Sequence, residues 1–166
     1  GLGDAIPLSL RLLGLPGMAL VARGLYSPAS ARAAVDSCFY DRSRVPPALY
    51  EEATRYRRSV AEAAHVLRAG LTLRGIRAAV RAPWLARATG FTRPVLVVWG
   101  REDAVLPPPG LAAIGAAVPQ AEVRLVDRCG HLVMIERSDE FLAALLPFLD
   151  RAERADSDSV LSEAAR

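Results

Sequence analysis

Two short apolar runs, each ending in a polar loop, constrain this chain more than any other feature. Pro94-Val95-Leu96-Val97-Val98-Trp99-Gly100 is rich in β-branched residues and bounded by Pro and Gly. A run of that length without alternation reads as a fully buried strand of a parallel sheet. Ala121-Glu122-Val123-Arg124-Leu125-Val126 reads as a second strand. Leu111 to Val118 lies between them as a short helix. Asp139 to Leu149 follows as a strongly apolar helix with Ser138 as its N-cap. Strand, helix, strand, helix predicts a parallel sheet with right-handed crossovers, and therefore an α/β fold.

The ninety residues before these runs read differently. Pro7 to Arg23 is Leu-rich and helical, with a break at Gly14-Leu15-Pro16-Gly17. Ser27 caps a helix that starts at Pro28 and runs to about Cys38. Pro46-Pro47 opens a longer helix over Ala48 to Ala69, and Leu71 to Val80 forms another that Pro83 closes. Nothing in residues 1–90 reads as a strand. After Asp150 the chain turns polar, so residues 151–166 are expected to be a flexible tail.

Charge follows the same division. Residues 1–90 carry 13 Arg and 6 acids, whereas residues 91–150 carry 5 Arg and 8 acids. Every one of the 21 basic residues is Arg, and Asn is absent as well as Lys, a pattern of GC-rich coding before it is one of chemistry. At 52% hydrophobic the chain is too apolar to be intrinsically disordered, and two Cys cannot make a disulfide scaffold. The apolar stretch from Ala5 to Ala22 is interrupted by Pro7, Arg11 and Pro16, so no membrane span is expected. Gly1-Leu2-Gly3-Asp4 lacks the basic start of a signal peptide, which makes a cytoplasmic protein with reduced thiols the default expectation. Gly1 stands where an initiator Met would, on a segment that reads as the middle of something.

Open parallel sheets present functional groups at the carboxyl ends of their strands. Here those ends are Trp99-Gly100-Arg101-Glu102-Asp103 and Asp127-Arg128-Cys129-Gly130-His131. Asp103 and His131 would meet on neighbouring strand ends, as the orienting acid and the base of a nucleophilic relay; Glu102 is the rival carboxylate. Other polar residues have plainer readings. Glu136 is a structural carboxylate bonding nearby backbone, and His65 is a packed or half-exposed helix residue. Cys129 is a small buried hydrophobe. Arg74, Arg77 and Arg81 recur along one helical face and Arg55, Arg57 and Arg58 form a second cluster, both read as solvated faces. No nucleic-acid motif accompanies them.

Residues 93–150 resemble the C-terminal segment of the α/β-hydrolase fold, as found in esterases, lipases, epoxide hydrolases and C–C bond hydrolases. The matching residues are Pro94 to Asp103, Val105 to Pro107, the Pro119-Gln120-Ala121-Glu122 turn, and Cys129-Gly130-His131 with Glu136. Together they are similar to the family patterns P-x-L-x-x-x-G-x-x-D and G-H-x-x-x-x-E. The resemblance implies that Asp103 is the triad acid and His131 the triad base, in the family's order of nucleophile, acid, His. It also implies that residues 1–90 are a helical cap, with Gly1-Leu2-Gly3 ending the loop of the preceding strand. Residues 91–150 would be the C-terminal part of the core. The expected fold class is therefore a partial α/β-hydrolase fold, a helical cap followed by two parallel strands with flanking helices.

The family reaction needs no metal or organic cofactor, because a nucleophile and a water do the work. Its substrate would be a small molecule, ester-like and hydrophobic or anionic, with no nucleic acid or membrane as partner and an open oligomeric state. Arg128-Cys129-Gly130-His131 leans towards C–C hydrolases, although the Trp that commonly follows their His is Leu132 here. No Gly-x-Ser-x-Gly, and no Asp or Cys equivalent, occurs in the 166 residues. The nucleophile elbow is missing, so the expectation is the C-terminal part of an α/β-hydrolase, inactive alone. The alternative is a non-catalytic binding or interaction module built from the same fold.

Overall fold

The computed structural model describes residues 6–55 and 57–164; the side chains of residues 19, 57–61, 156 and 158–164 fall outside that description. The expected role of Gly1-Leu2-Gly3 likewise lies outside the described residues.

The helical part begins with α1 (Leu8–Leu13) and α2 (Met18–Leu25), broken where the Gly14–Gly17 corner predicts, with Gly17 at φ +83°. α3 (Pro28–Asp36) starts as expected: the Ser27 hydroxyl accepts from the Ser30 N–H while Ser30 bonds back to the Ser27 N–H. Two amides that the helix leaves unpaired are thereby satisfied. α4 (Pro47–Arg55) and α5 (Arg57–Gly70) occupy the stretch expected to form one helix, with Tyr56 between them outside the described residues. α5 packs on α1 and α2, and α3 on α4.

Residues 71–80 correct the sequence reading. Instead of a helix they open with a small antiparallel hairpin, β1 (Leu71–Thr72) and β2 (Gly75–Ile76), so the first ninety residues do contain strands. Thr72 and Gly75 favour the turn. The Thr72 hydroxyl donates to the Gly75 carbonyl and accepts from the Arg74 N–H, and Gly75 takes φ +121°, a conformation other residues rarely adopt. The helix starts later, as α6 (Ala78–Thr89), and runs through Pro83. One absent N–H and a local distortion did not end it, against the expectation. Arg74, Arg77 and Arg81 therefore share no helical face: Arg74 is in the turn, Arg77 caps α6 and Arg81 lies within it.

β3 (Leu96–Gly100) and β4 (Glu122–Val126) pair in parallel, Leu96 opposite Glu122 and Gly100 opposite Val126, with α7 (Leu111–Ala117) in the crossover. β3 is half-buried rather than fully buried as its composition suggested. Among the described residues β4 alone pairs with it, so its other edge is open. α8 (Val133–Glu136), a turn the sequence reading did not anticipate, precedes α9 (Ser138–Ala164). α9 begins at the residue expected to cap it and continues well past Asp150. Residues 151–164 are thus helix rather than tail, on a sequence of Arg, Glu, Asp, Ala and Ser with Val160 and Leu161 and no Gly or Pro to stop it. The small core between sheet and helices is Val126, Cys129 and Val133, with Val98 and Phe141 against it. Among the described residues no helix is long and apolar enough to cross a membrane.

Candidate active site

The level register of β3 and β4 brings both polar loops to one end of the sheet. The ladder continues one step beyond the strands, with the Arg101 N–H donating to the Val126 carbonyl and the Glu102 N–H to the Cys129 carbonyl. Such closeness demands glycine. A Cβ on Gly100 would stand 2.0 Å from the Gly130 carbonyl oxygen, and one on Gly130 would stand 2.6 Å from that of Cys38.

Asp103 and His131 meet as the spacing of their loops predicts. Asp103 is 4% exposed. Its Oδ1 accepts from the Val105 and Leu106 N–H groups at 2.9 and 2.8 Å, and its Oδ2 lies 2.8 Å from His131 Nδ1. A carboxylate can only accept, so Nδ1 carries the hydrogen and Nε2 of the neutral ring keeps its lone pair. The His131 backbone is fixed as well, its N–H donating to the Cys38 carbonyl at 2.8 Å. The result is an oriented imidazole, half-exposed, with one nitrogen committed and the other ready to take a proton.

Glu102, the rival carboxylate, is occupied elsewhere: its Oε2 accepts from the Cys129 N–H at 2.9 Å and so shapes the loop before His131. That loop also contains Arg128 at φ +52°, whose carbonyl accepts twice from the Arg137 guanidinium. Glu136 is 1% exposed and bonds backbone, as expected, but part of that backbone is distant. It accepts from the Gly130 N–H at 2.7 Å, and also from the N–H groups of Tyr40 at 3.2 Å and Asp41 at 2.6 Å. This seam between the helical part and the His131 loop has no signature at residues 38–41, because backbone amides do the bonding and any side chain would serve. Cys129 is fully buried and its thiol is pushed up to about 12, chiefly by burial and then by the Glu136 charge. It packs and does not react. His65 is exposed on α5, far from the pair in sequence and without a role there.

Two cavities bear on chemistry. A small one of about 120 Å³ is lined by Val98, Trp99, Gly100, Asp103, His131 and Val133, with no hydroxyl or thiol among them. A larger one of about 630 Å³ lies within the helical part, between α2, α3 and the α4–α5 stretch. Leu13, Leu25, Val35 and several Ala line it, no charged side chain among the described residues does, and Cys38 stands at its wall. Among the described residues no three His, Cys, Asp or Glu side chains are grouped to hold a metal ion.

A family model described as "Alpha/beta hydrolase family" matches residues 3–144. A 2-hydroxy-6-oxononadienedioate/2-hydroxy-6-oxononatrienedioate hydrolase of Dechloromonas aromatica is 38% identical over 58 residues, 35% of this chain and 20% of that one. A monoacylglycerol lipase of Homo sapiens is 28% identical over 68 residues, 41% of this chain and 20% of its own. Among solved structures, 2-hydroxy-6-oxo-6-phenylhexa-2,4-dienoate hydrolase from a Rhodococcus species superposes with a TM-score of 0.60 at 23% identity, covering 88% of this chain and 50% of that one. An esterase from Exiguobacterium antarcticum gives 0.59 at 14%, covering 86% and 47%. The matched stretch spans a fifth of the curated relatives' length and about half of the solved chains.

Proposed function

Because the chain belongs to the alpha/beta hydrolase family, we propose that Asp103 and His131 are the acid and base of a nucleophile–His–Asp relay that hydrolyses an ester, with residues 6–90 forming the cap over the site. The observation that supports this most is the 2.8 Å contact between His131 Nδ1 and a buried carboxylate whose other oxygen is held by two amides. His131 Nε2 takes the proton of the attacking hydroxyl and returns it to the leaving alcohol. Water then repeats the cycle on the acyl-enzyme. Asp103 stays ionised throughout, fixing the tautomer and stabilising the imidazolium.

The 630 Å³ cavity, apolar in most of its described lining and walled on one side by the residue whose carbonyl holds the His131 amide, supports an apolar acyl or aryl group as the part of the substrate received there. C–C bond hydrolysis is the second reading, favoured by the likeness to the Dechloromonas hydrolase over 58 residues.

The nucleophile in this reading is not among residues 1–166: no Gly-x-Ser-x-Gly occurs in them and no hydroxyl lines the cavity around the pair. The 166-residue chain by itself is inert. An assay with a short-chain activated ester is expected to show no turnover above the buffer rate; turnover that disappears in His131→Ala would overturn this. The reading frame upstream of the Gly1 codon separates hydrolase from binding module. An in-frame Gly-x-Ser-x-Gly supports the relay, and in that longer protein Asp103→Asn should lower kcat by about 10⁴-fold. A start codon at that point with no such stretch favours a non-catalytic module.

A further inference from the structure

A second cleft, of about 500 Å³, lies away from Asp103 and His131, between the α1–α2 corner, the end of α5 and the β1–β2 hairpin. Four guanidinium-bearing residues line it, Arg11, Arg68, Arg74 and Arg77, and no carboxylate among the described residues does. Leu15 and Leu73 contribute apolar wall. We propose that this cleft binds a phosphate group carried on an apolar body, independently of any hydrolysis.

Pairing of the arginines is the first support. Elsewhere Arg44, Arg55, Arg101, Arg124 and Arg151 stand within ion-pair distance of a carboxylate. Arg68, Arg74 and Arg77 have no such partner among the described residues, as Arg23 and Arg87 have none, but they are gathered with Arg11 along one cleft, where they repel one another. Like charges are gathered at a cost unless something neutralises them. A phosphate monoester, carrying roughly −1.5 to −2 charge near pH 7, does so with oxygens that match the guanidinium fork.

Orientation is the second. Arg11 donates from Nε to the Ile6 carbonyl at 2.7 Å and from Nη1 to the Leu73 carbonyl at 3.1 Å, which ties α1 to the hairpin turn. Arg77 donates from Nε to the Arg68 carbonyl at 3.3 Å, so its Nη donors are left for a ligand. Arg74 stands exposed in a turn fixed by the Thr72 hydroxyl. Guanidiniums tied to backbone lose less freedom on binding than free ones.

The phosphate could be that of a soluble ester or of a lipid headgroup, and the experiment distinguishes them. Binding of hexyl phosphate to the 166-residue chain is measured by calorimetry, against R74Q/R77Q and against R23Q/R87Q. The control removes the same charge from exposed residues outside the cleft. Hexyl phosphate is expected to bind, with affinity falling about tenfold or more in R74Q/R77Q and less than about twofold in the control, as loss of charge-assisted bonds requires. Equal losses in both variants, or no binding by the parent chain, would overturn the proposal. Sedimentation with phosphatidylcholine vesicles, with and without phosphatidic acid, identifies the source. Phosphatidic-acid-dependent binding lost in R74Q/R77Q assigns a headgroup; hexyl phosphate binding without vesicle binding assigns a soluble ester. Should R74Q/R77Q not fold, R74Q alone, in an exposed turn, carries the same comparison.

Discussion

In the sheet part three carboxylates, buried Asp103 and Glu136 and exposed Glu102, accept from backbone amides, several of them distant in sequence. In the helical part most side-chain hydrogen bonds close within five residues, as at Ser27–Ser30, Ser37–Ala34, Thr54–Glu51 and Thr89–Leu85. Tyr26, whose hydroxyl donates to the Ala53 and Thr54 carbonyls, is an exception. A loop held by charged hydrogen bonds has one geometry, because an unmade bond to a buried carboxylate is expensive. Helices held by local bonds and apolar contact can be arranged around open space, and cavities of about 630 and 500 Å³ lie among them. The sheet part fixes the contact between Asp103 and His131, and the helical part encloses open space.

The largest expected effect tests how closed the sheet part is. With its thiol pushed up from 9.0 to about 12 and no exposed surface, Cys129 should carry about a thousandfold less thiolate than an ordinary cysteine near pH 8. Alkylation followed by mass spectrometry should modify it only as the protein unfolds. Rapid labelling of the folded chain would break the contrast. The same shift sets a sign for pH: the unfolded thiol ionises near 9 while the folded one stays neutral. This contribution to stability is complete below pH 9 and declines as pH rises towards 12.

Next comes the seam between the parts. Glu136→Ala strips the amides of Tyr40, Asp41 and Gly130 of their acceptor, and should lower stability in urea unfolding by about 3 kcal/mol or more. Gly130→Ala places a Cβ against the Cys38 carbonyl and Phe39 Cα, and should cost about 1–3 kcal/mol in the same measurement. Smallest is Ser27→Ala, which removes one N-cap within the helical part, at about 1 kcal/mol. A Ser27 effect as large as that of Glu136 would erase the distinction between local and long-range support.

Legibility in the sequence divides along the same line. Asp103 and His131 were readable because parallel pairing leaves little freedom: two strands of five residues, in level register, deliver their next few residues to one edge. The capped start of α3 was readable because its determinants are adjacent. The hairpin at Leu71–Ile76 leaves little trace in the sequence, because strands of two residues show no periodicity and the turn depends on the positive φ that Gly75 supplies. The fate of residues 151–164 was missed because polarity was taken for disorder, although Ala, Arg and Glu extend a helix readily. The partners of Glu136 carried no trace at all, since amides of Tyr40 and Asp41 are indifferent to side chain.

Synthesis proceeds from the helical part to the sheet part, and Glu136 lies 96 and 95 residues beyond the two amides it holds. At roughly 5–20 residues per second, the turn at Tyr40 and Asp41 waits about 5–20 s before its acceptor is even made. During that interval the helices can form their local bonds and pack on one another, but the loop that Glu136 ties to them does not yet exist. The alignment of His131 with Asp103 therefore waits for the sheet part to follow the helical part out of the ribosome.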